Sequence, residues 1–319
     1  MQLTTFHIDD EEAFTLFTKH LVMEPSFTWH VNCTEVHVKA FNFLPVYKLL
    51  VMQKDIGIKG LDNFPEIKLI DVQLPGTDPK GGIQISATAT MSNPSPFGMQ
   101  IGTLVMGLYL KDLFLGPVKA TGVNLTAGNN LLVLDGHINS QANNAAALDQ
   151  LGGLFTNYIN SIPSTITAKG VSATQADGKV VRWLDQGISS LSASIDFVPP
   201  KPIDPIKDIA IKSVNLAFDK DHPFSPVISS DALEGSISLP FGFSVNITKV
   251  ATQMTILYKG ASVASVAGSY TDSSTHIKVQ SSQQTFGRLH LTLPPNPMSL
   301  PNATDAAKNG FIQFEKALV

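Results

Sequence analysis

Cys33 sits between two histidines, His30 and His37, and a thiolate with two imidazoles is a set of groups that can hold zinc. The other reading places the three on alternating positions of one strand with no shared ligand, and that is the expectation. Asp219-Lys220-Asp221 offers carboxylate oxygens to a cation, yet the lysine between them and the lack of a third carboxylate favour a solvated turn. The sequence contains no G-x-S-x-G elbow, P-loop, Rossmann glycine fingerprint or H-E-x-x-H, and no two of its eight histidines have the i, i+4 spacing of a helical metal site. Cys33 is the single cysteine, which excludes a disulfide within the chain and a cysteine-only zinc site. The expectation is a protein that is not an enzyme, with no cofactor and no metal.

Modification is the remaining residue-level chemistry. Asn32, Asn124, Asn246 and Asn302 each open an N-x-[ST] sequon. A chain so rich in Asn, Ser and Thr would carry about three such triplets by chance under that rule, so their number decides little. They are kept as glycosylation candidates, which would require a secretory-pathway lumen or the cell exterior.

The elements that must carry these residues are mostly strands. Of 319 residues only 15% are charged and 43% are hydrophobic, and 23 Gly, 20 Pro and 18 Phe favour strands and turns over long helices. A net charge of −4 without a basic block argues against a nucleic-acid partner. No apolar run reaches the roughly 18–20 residues of a membrane span, and MQLTTFHIDDEEAF has neither the basic nor the apolar region of a signal peptide.

Ile83 to Met91 alternates apolar and polar residues, the pattern of a strand with one buried face. Ser92-Asn93-Pro94-Ser95-Pro96 turns the chain, and a second strand runs from Phe97 to Leu110, until Lys111-Asp112 breaks it. Further strands are expected at 131–134, 235–239, 243–250, 254–258, 276–279 and 289–293. Four short helices are expected. The first is capped by Asp9 or Asp10 and carries Phe14, Phe17 and Leu21; the second carries Leu148, Leu151, Phe155, Tyr158 and Ile162, weakened by Gly152-Gly153. The third carries Trp183, Leu184, Ile188 and Leu191, and the fourth Ala307, Phe311, Phe314 and Leu318. The proline-rich stretch from Val198 to Pro205 reads as an extended connector.

Self-comparison organises these pieces. Lys54-Asp55-Ile56-Gly57-Ile58-Lys59 returns as Lys207-Asp208-Ile209-Ala210-Ile211-Lys212, and Pro96-Phe97-Gly98 as Pro240-Phe241-Gly242. Phe14-x-x-Phe17-x-Lys19-x-Leu21-Val22 matches Phe311-x-x-Phe314-x-Lys316-x-Leu318-Val319. The expected organisation is mainly β: two tandem antiparallel β-sandwich domains, residues 1–178 and 179–303, with a few short helices. Residues 304–319 are either the start of a third repeat or a C-terminal helix, and the chain is expected to be part of a longer array.

The strand from Phe97 to Leu110 is apolar on both faces, with Ile101, Val105 and Tyr109 on one and Leu104, Met106 and Leu108 on the other. With Met99 these residues could line a lipid-binding cleft, since an acyl chain needs a continuous apolar wall. They could equally be an ordinary sandwich core, the second face covered by the helix around Leu151 and Phe155.

The order Lys54-Asp55-Ile56-x-Ile58-Lys59-Gly60, Leu74-Pro75-Gly76-x-Asp78-Pro79-x-Gly81-Gly82-Ile83, Asn93-Pro94-Ser95-Pro96 and Gly102-Thr103 resembles the fungal "domain of unknown function 3712" family, and Leu239 to Thr248 continues the match. More distantly, Asn93-Pro94-x-Pro96-Phe97 leading into an alternating strand is similar to the late embryogenesis abundant type-two domain, an antiparallel β-sandwich with a short helix. Pro240-Phe241-Gly242 departs from that pattern by lacking the preceding Asn-Pro. The resemblance implies fungal proteins with one membrane helix, a segment absent from this chain, and several such domains on the vacuolar-lumenal or extracellular side. It implies lipid held in an apolar groove, and it supplies no catalytic residues. The alternative expectation is a structural or protein-interaction array without a small-molecule ligand, its partners being neighbouring repeats or other proteins.

Overall fold

The computed structural model describes residues 7–38, 47–79, 81–269, 271–301 and 304–318. Among the described residues the chain is mainly β, with four helices and several antiparallel sheets. It divides into two compact units: Met1–Gln73 with Thr77–Pro202, and Leu74–Gly76 with Ile203–Val319. The division at 202/203 falls within the proline-rich connector. Residues 178 and 179, where the sequence reading divided the chain, lie in a turn inside the first unit, because the helix and strand that follow pack on that unit.

The first unit opens with helix α1 (Glu11–Met23), then a ribbon of strands β1 (Ser26–Val38) and β2 (Tyr47–Lys59) paired only with each other. Strands β3 (Ile67–Gln73), β4 (Ile83–Asn93), β5 (Met99–Leu110), β6 (Leu113–Leu125) and β7 (Gly128–Ile138) follow, then helix α2 (Ala145–Ile159), strand β8 (Ser164–Thr174), helix α3 (Arg182–Ser189) and strand β9 (Ser192–Phe197). Seven of these strands form one antiparallel sheet in the order β3-β4-β7-β6-β5-β8-β9.

That sheet is nearly a barrel. Its end strands β3 and β9 meet, and the ladder between β6 and β7 is only two pairs long, Val118–Gly136 and Lys119–Asp135. The sheet therefore folds sharply at this seam, with β3, β4 and β7 on one side and β6, β5, β8 and β9 on the other. Gly116, at φ +152°, lies beside the seam, where a β-carbon would collide with the His137 carbonyl. The two sides pack face to face: Val72, Ile85, Ala87 and Leu134 from one meet Met106, Leu108, Val118, Ile166 and Ile195 from the other. Alternation along β4 delivers this packing, since Ile85, Ala87, Ala89 and Met91 are all buried while the residues between them are less so.

Helices close the two ends. At the end where Ser164 pairs Phe197, Tyr158 of α2 stacks on Phe197 at 4.8 Å. At the other, Ile188 of α3 and the following Leu191 reach the core beside Met91, Ile101 and Leu104. The helix around Leu151 thus plugs an end, and the alternative in which it covers the second face of β5 does not hold.

The second unit holds β10 (Ile206–Ile211), β11 (Asn215–Ala217), β12 (Val227–Leu239), β13 (Val245–Val250), β14 (Gln253–Tyr258), β15 (Ala261–Ala267), β16 (Thr271–Ser281), β17 (Gln284–Pro297) and helix α4 (Asp305–Leu318). Six strands form a sheet ordered β10-β12-β17-β16-β13, with β11 also on β12, and β14 pairs β15. Phe311 of α4 is fully buried among Ile228, Leu233, Ala264, Val266, Leu293 and Met298.

The repeated hexapeptides occupy different settings. Lys54–Lys59 lies in β2 of the two-stranded ribbon, and Lys207–Lys212 in and just after β10, an outer strand of the six-stranded sheet. Pro96-Phe97-Gly98 leads into the interior strand β5, whereas Pro240-Phe241-Gly242 precedes β13 at a sheet edge.

Candidate functional site

The seven residues singled out as a lipid wall separate along β5. Leu104, Met106 and Leu108 point into the packed interior, where the residual voids are only ≈ 30 and ≈ 20 Å³, and Ile101 is buried beside them. Voids of that size hold about one water each, so this is core at ordinary density. Val105 and Tyr109 lie half-buried on the other face. The Tyr109 ring packs at 5.2 Å against Phe114, with the Lys169 ammonium 4.7 Å above it. Met99, at the start of the strand, is the member that reaches a cavity.

That cavity has a volume of ≈ 580 Å³ and lies between α1, the ribbon, the β4–β5 turn and α3. Its walls are Phe14, Phe17, Trp29, Phe97 and Trp183 with Leu21 and Met99, and His7, Asp9 and Asp10 stand at the start of α1. The rings brace one another at mixed angles, with Phe14 and Phe17 stacked at 5.5 Å and 23°. Phe14 meets Trp183 at 5.0 Å and 83°, Phe17 meets Phe97 at 6.0 Å and 89°, and Trp29 lies 5.7 Å from Phe17 and 6.2 Å from Phe97.

Each ring is placed by a local device. Asp10 caps α1 by accepting from the Glu12 and Ala13 amides, both at 2.9 Å, and Glu11 and Glu12 suit the first turn. The 3.6-residue period then puts Phe14, Phe17 and Leu21 along one face. At the far end of α1, Leu61, Asn63 and Asp62 donate to the carbonyls of Leu21, Val22 and Glu24, so the loop after β2 satisfies groups that a helix end leaves open. Gly60 permits this approach, because a β-carbon there would collide with the Glu24 carbonyl oxygen. Asp62, Asn63 and Phe64 all have φ between 50° and 55°, a left-handed turn costing about 1–2 kcal/mol per residue. Asn63 offsets this by bonding the Met23 carbonyl and the Ser192 amide, and Phe64 by burial.

Phe97 depends on the Asn-Pro-Ser-Pro turn. Asn93 accepts from the Ser95 amide at 2.8 Å and donates to the Phe97 carbonyl at 2.9 Å, and Ser95 Oγ accepts from the Phe97 amide at 3.2 Å. Trp29 is set by strand alternation. It shares one face of the ribbon with Phe27, Val31 and Cys33, opposite Ile58, Ile56, Lys54 and Met52, while Thr28, His30 and Asn32 form the other. Trp183 rides on α3, which α1 approaches so closely that a β-carbon at Gly187 would collide with Thr18.

His30 bonds Asp55 across the ribbon at 2.6 Å, and Cys33 lies on the opposite face. The side chain of His37 is outside those described. Among the described residues, no three His, Cys, Asp or Glu side chains gather as metal ligands. Asp219 closes a turn by accepting from the Asp221 amide and bonding His222, and these bonds hold its carboxyl below the usual range. Asn32, Asn124 and Asn246 are exposed, the last bonded to His276 across the strands, and Asn302 lies outside the described residues.

Residues 1–108 match the family described as Protein of unknown function (DUF3712), a span that includes α1, the ribbon and the Asn93–Phe97 turn but not Trp183. No curated protein matches, and no solved structure matches.

Proposed function

We propose that the first unit holds an apolar or amphiphilic molecule, a lipid acyl chain being the natural occupant, in the aromatic cavity beside α1, and that it carries out no catalysis. The observation that carries this reading is the ≈ 580 Å³ space walled by five aromatic rings, Leu21 and Met99. Its volume falls within the roughly 300–1,000 Å³ of small-molecule sites. The ribbon face that bears Trp29 continues outward through Ile56, Lys54 and Met52, and Ile56 and Met52, 41% and 49% exposed, offer apolar surface on either side of the lysine. A lumenal or extracellular setting goes with this reading, with Asn32, Asn124 and Asn246 exposed for glycans. So, on the sequence pattern alone, does a fungal origin.

Mass spectrometry and lipid extraction of the chain purified from a eukaryotic host test the proposal, the same sample being weighed before and after glycan removal. An apolar ligand should co-purify. Ala13→Leu, which narrows the cavity from a helix position that accepts leucine, should reduce bound lipid several-fold with the fold intact. An extract free of lipid, or Ala13→Leu retaining the full load, would sink the reading.

The second reading is a protein-interaction module. It is favoured by the same exposed ribbon face, since apolar surface on a ribbon that pairs, among the described residues, only with itself is what a partner would cover.

A further inference from the structure

We infer that the cavity selects its amphiphile by head-group charge, taking a cationic head of the trimethylammonium type over an anionic one. This deepens the reading of the site as an amphiphile pocket and rests on it. Among the described lining residues there is no lysine or arginine, and two carboxylates, Asp9 and Asp10, stand where α1 begins. Residues 1–6, outside the described set, contain no lysine or arginine either. Lys54 shares the ribbon face with Trp29 but lies beyond the lining, opposite Val31.

Two features would by themselves favour an anion. The N-terminus of α1 opens here, and helix N-termini attract negative charge. Its Glu12 and Ala13 amides, however, are already taken by the Asp10 carboxylate, and Glu11 and Glu12 add negative charge to the same turn. His7 also lines the site, as a single imidazole set against the two aspartates. The walls point the same way as the carboxylates. Aromatic faces carry negative potential, tryptophan most strongly, and trimethylammonium groups bind within such cages. Here Trp29, Trp183, Phe14, Phe17 and Phe97 surround the space next to Asp9 and Asp10. An anionic head would meet the same rings and carboxylates with no lysine or arginine among the described lining residues.

The chain has two tryptophans, and both line the cavity, so intrinsic emission reports its occupancy directly. The test titrates the full chain with dodecyltrimethylammonium, dodecyl maltoside and dodecyl sulfate, below micelle formation and at concentrations that leave the far-UV spectrum unchanged. The three differ only in head group. The trimethylammonium amphiphile should bind about tenfold more tightly than the sulfate, with the maltoside between them. Asp9→Asn combined with Asp10→Asn keeps the helix cap, since asparagine caps as well as aspartate. That variant should shrink the preference of trimethylammonium over sulfate to about threefold or less. Equal binding of the three, or tightest binding of the sulfate, overturns the inference and leaves the amphiphile pocket standing. So does a variant that weakens all three alike. No emission change with any of them removes the pocket reading itself and the inference with it.

Discussion

Asn93 has 2% of its surface exposed, and its two bonds to the turn fix the angle at which Phe97 leaves it. A buried amide of this kind is stable only because each of those groups finds a partner. Tyr158 presents the same issue with a titratable group. Its ring stacks on Phe197, and burial first, then the negative charge of Asp71, push its phenol up to about 12. The folded state favours the neutral phenol. Its contribution is therefore whole below pH 10, where the unfolded phenol titrates, and is lost as the pH rises toward 12. An alkaline titration followed at the phenolate band should show one tyrosine ionising only near pH 12, together with loss of the β-sheet signal. All tyrosines titrating near pH 10 in a folded chain would refute this. At this scale the sequence was partly readable. Asn-Pro-Ser-Pro announced a turn, but the turn's function, to aim Phe97 at residues 14, 17 and 29, depends on contacts that no local pattern carries.

Helices α1 and α4 share the spacing Phe-x-x-Phe-x-Lys-x-Leu and put it to opposite uses. In α4, Phe311 is sealed in the core, whereas Phe14 and Phe17 of α1 are half-buried and face open space. Phe311→Ala should accordingly cost about 3–5 kcal/mol, as full truncations in cores do. Phe14→Ala should cost only about 1–2 kcal/mol, since part of that ring is already wet. Urea unfolding of the two variants separates them, and equal losses would show that the cavity around Phe14 is filled in solution. All four helices were legible from apolar spacing, as were β4, β5 and the strand stretches near 131–134 and 254–258. The break at Lys111-Asp112, read as an end, is the tight hairpin into β6, with Lys111 at φ +55°. Strands β6 and β8 escaped notice because small and polar residues, Gly116, Thr121, Gly122 and Gly170 among them, dilute their alternation. The aromatic cavity escaped for a different reason: its rings come from residues 14, 17, 29, 97 and 183, and only their shared type hinted at a common place.

Across the whole chain, the sequence conveyed β content better than the shape of either unit. A proline-rich connector shows in composition, whereas the fold at the β6–β7 seam rests on two residue pairs and a glycine carbonyl contact that no composition reveals. Both tryptophans belong to the first unit, and the second contains none. Indole emission is therefore blind to nearly two-fifths of the polypeptide. If the compact units melt separately, a denaturation curve recorded by emission will describe only the part ending at Pro202, while far-UV circular dichroism will sum both. We expect the two curves to diverge, with the dichroism spread over a wider range of denaturant, and coincident curves would establish a single cooperative transition. A stability quoted from fluorescence alone would then be the stability of about three-fifths of a protein, and a lesion in the β12–β17 ladder could unfold its surroundings without registering in that signal.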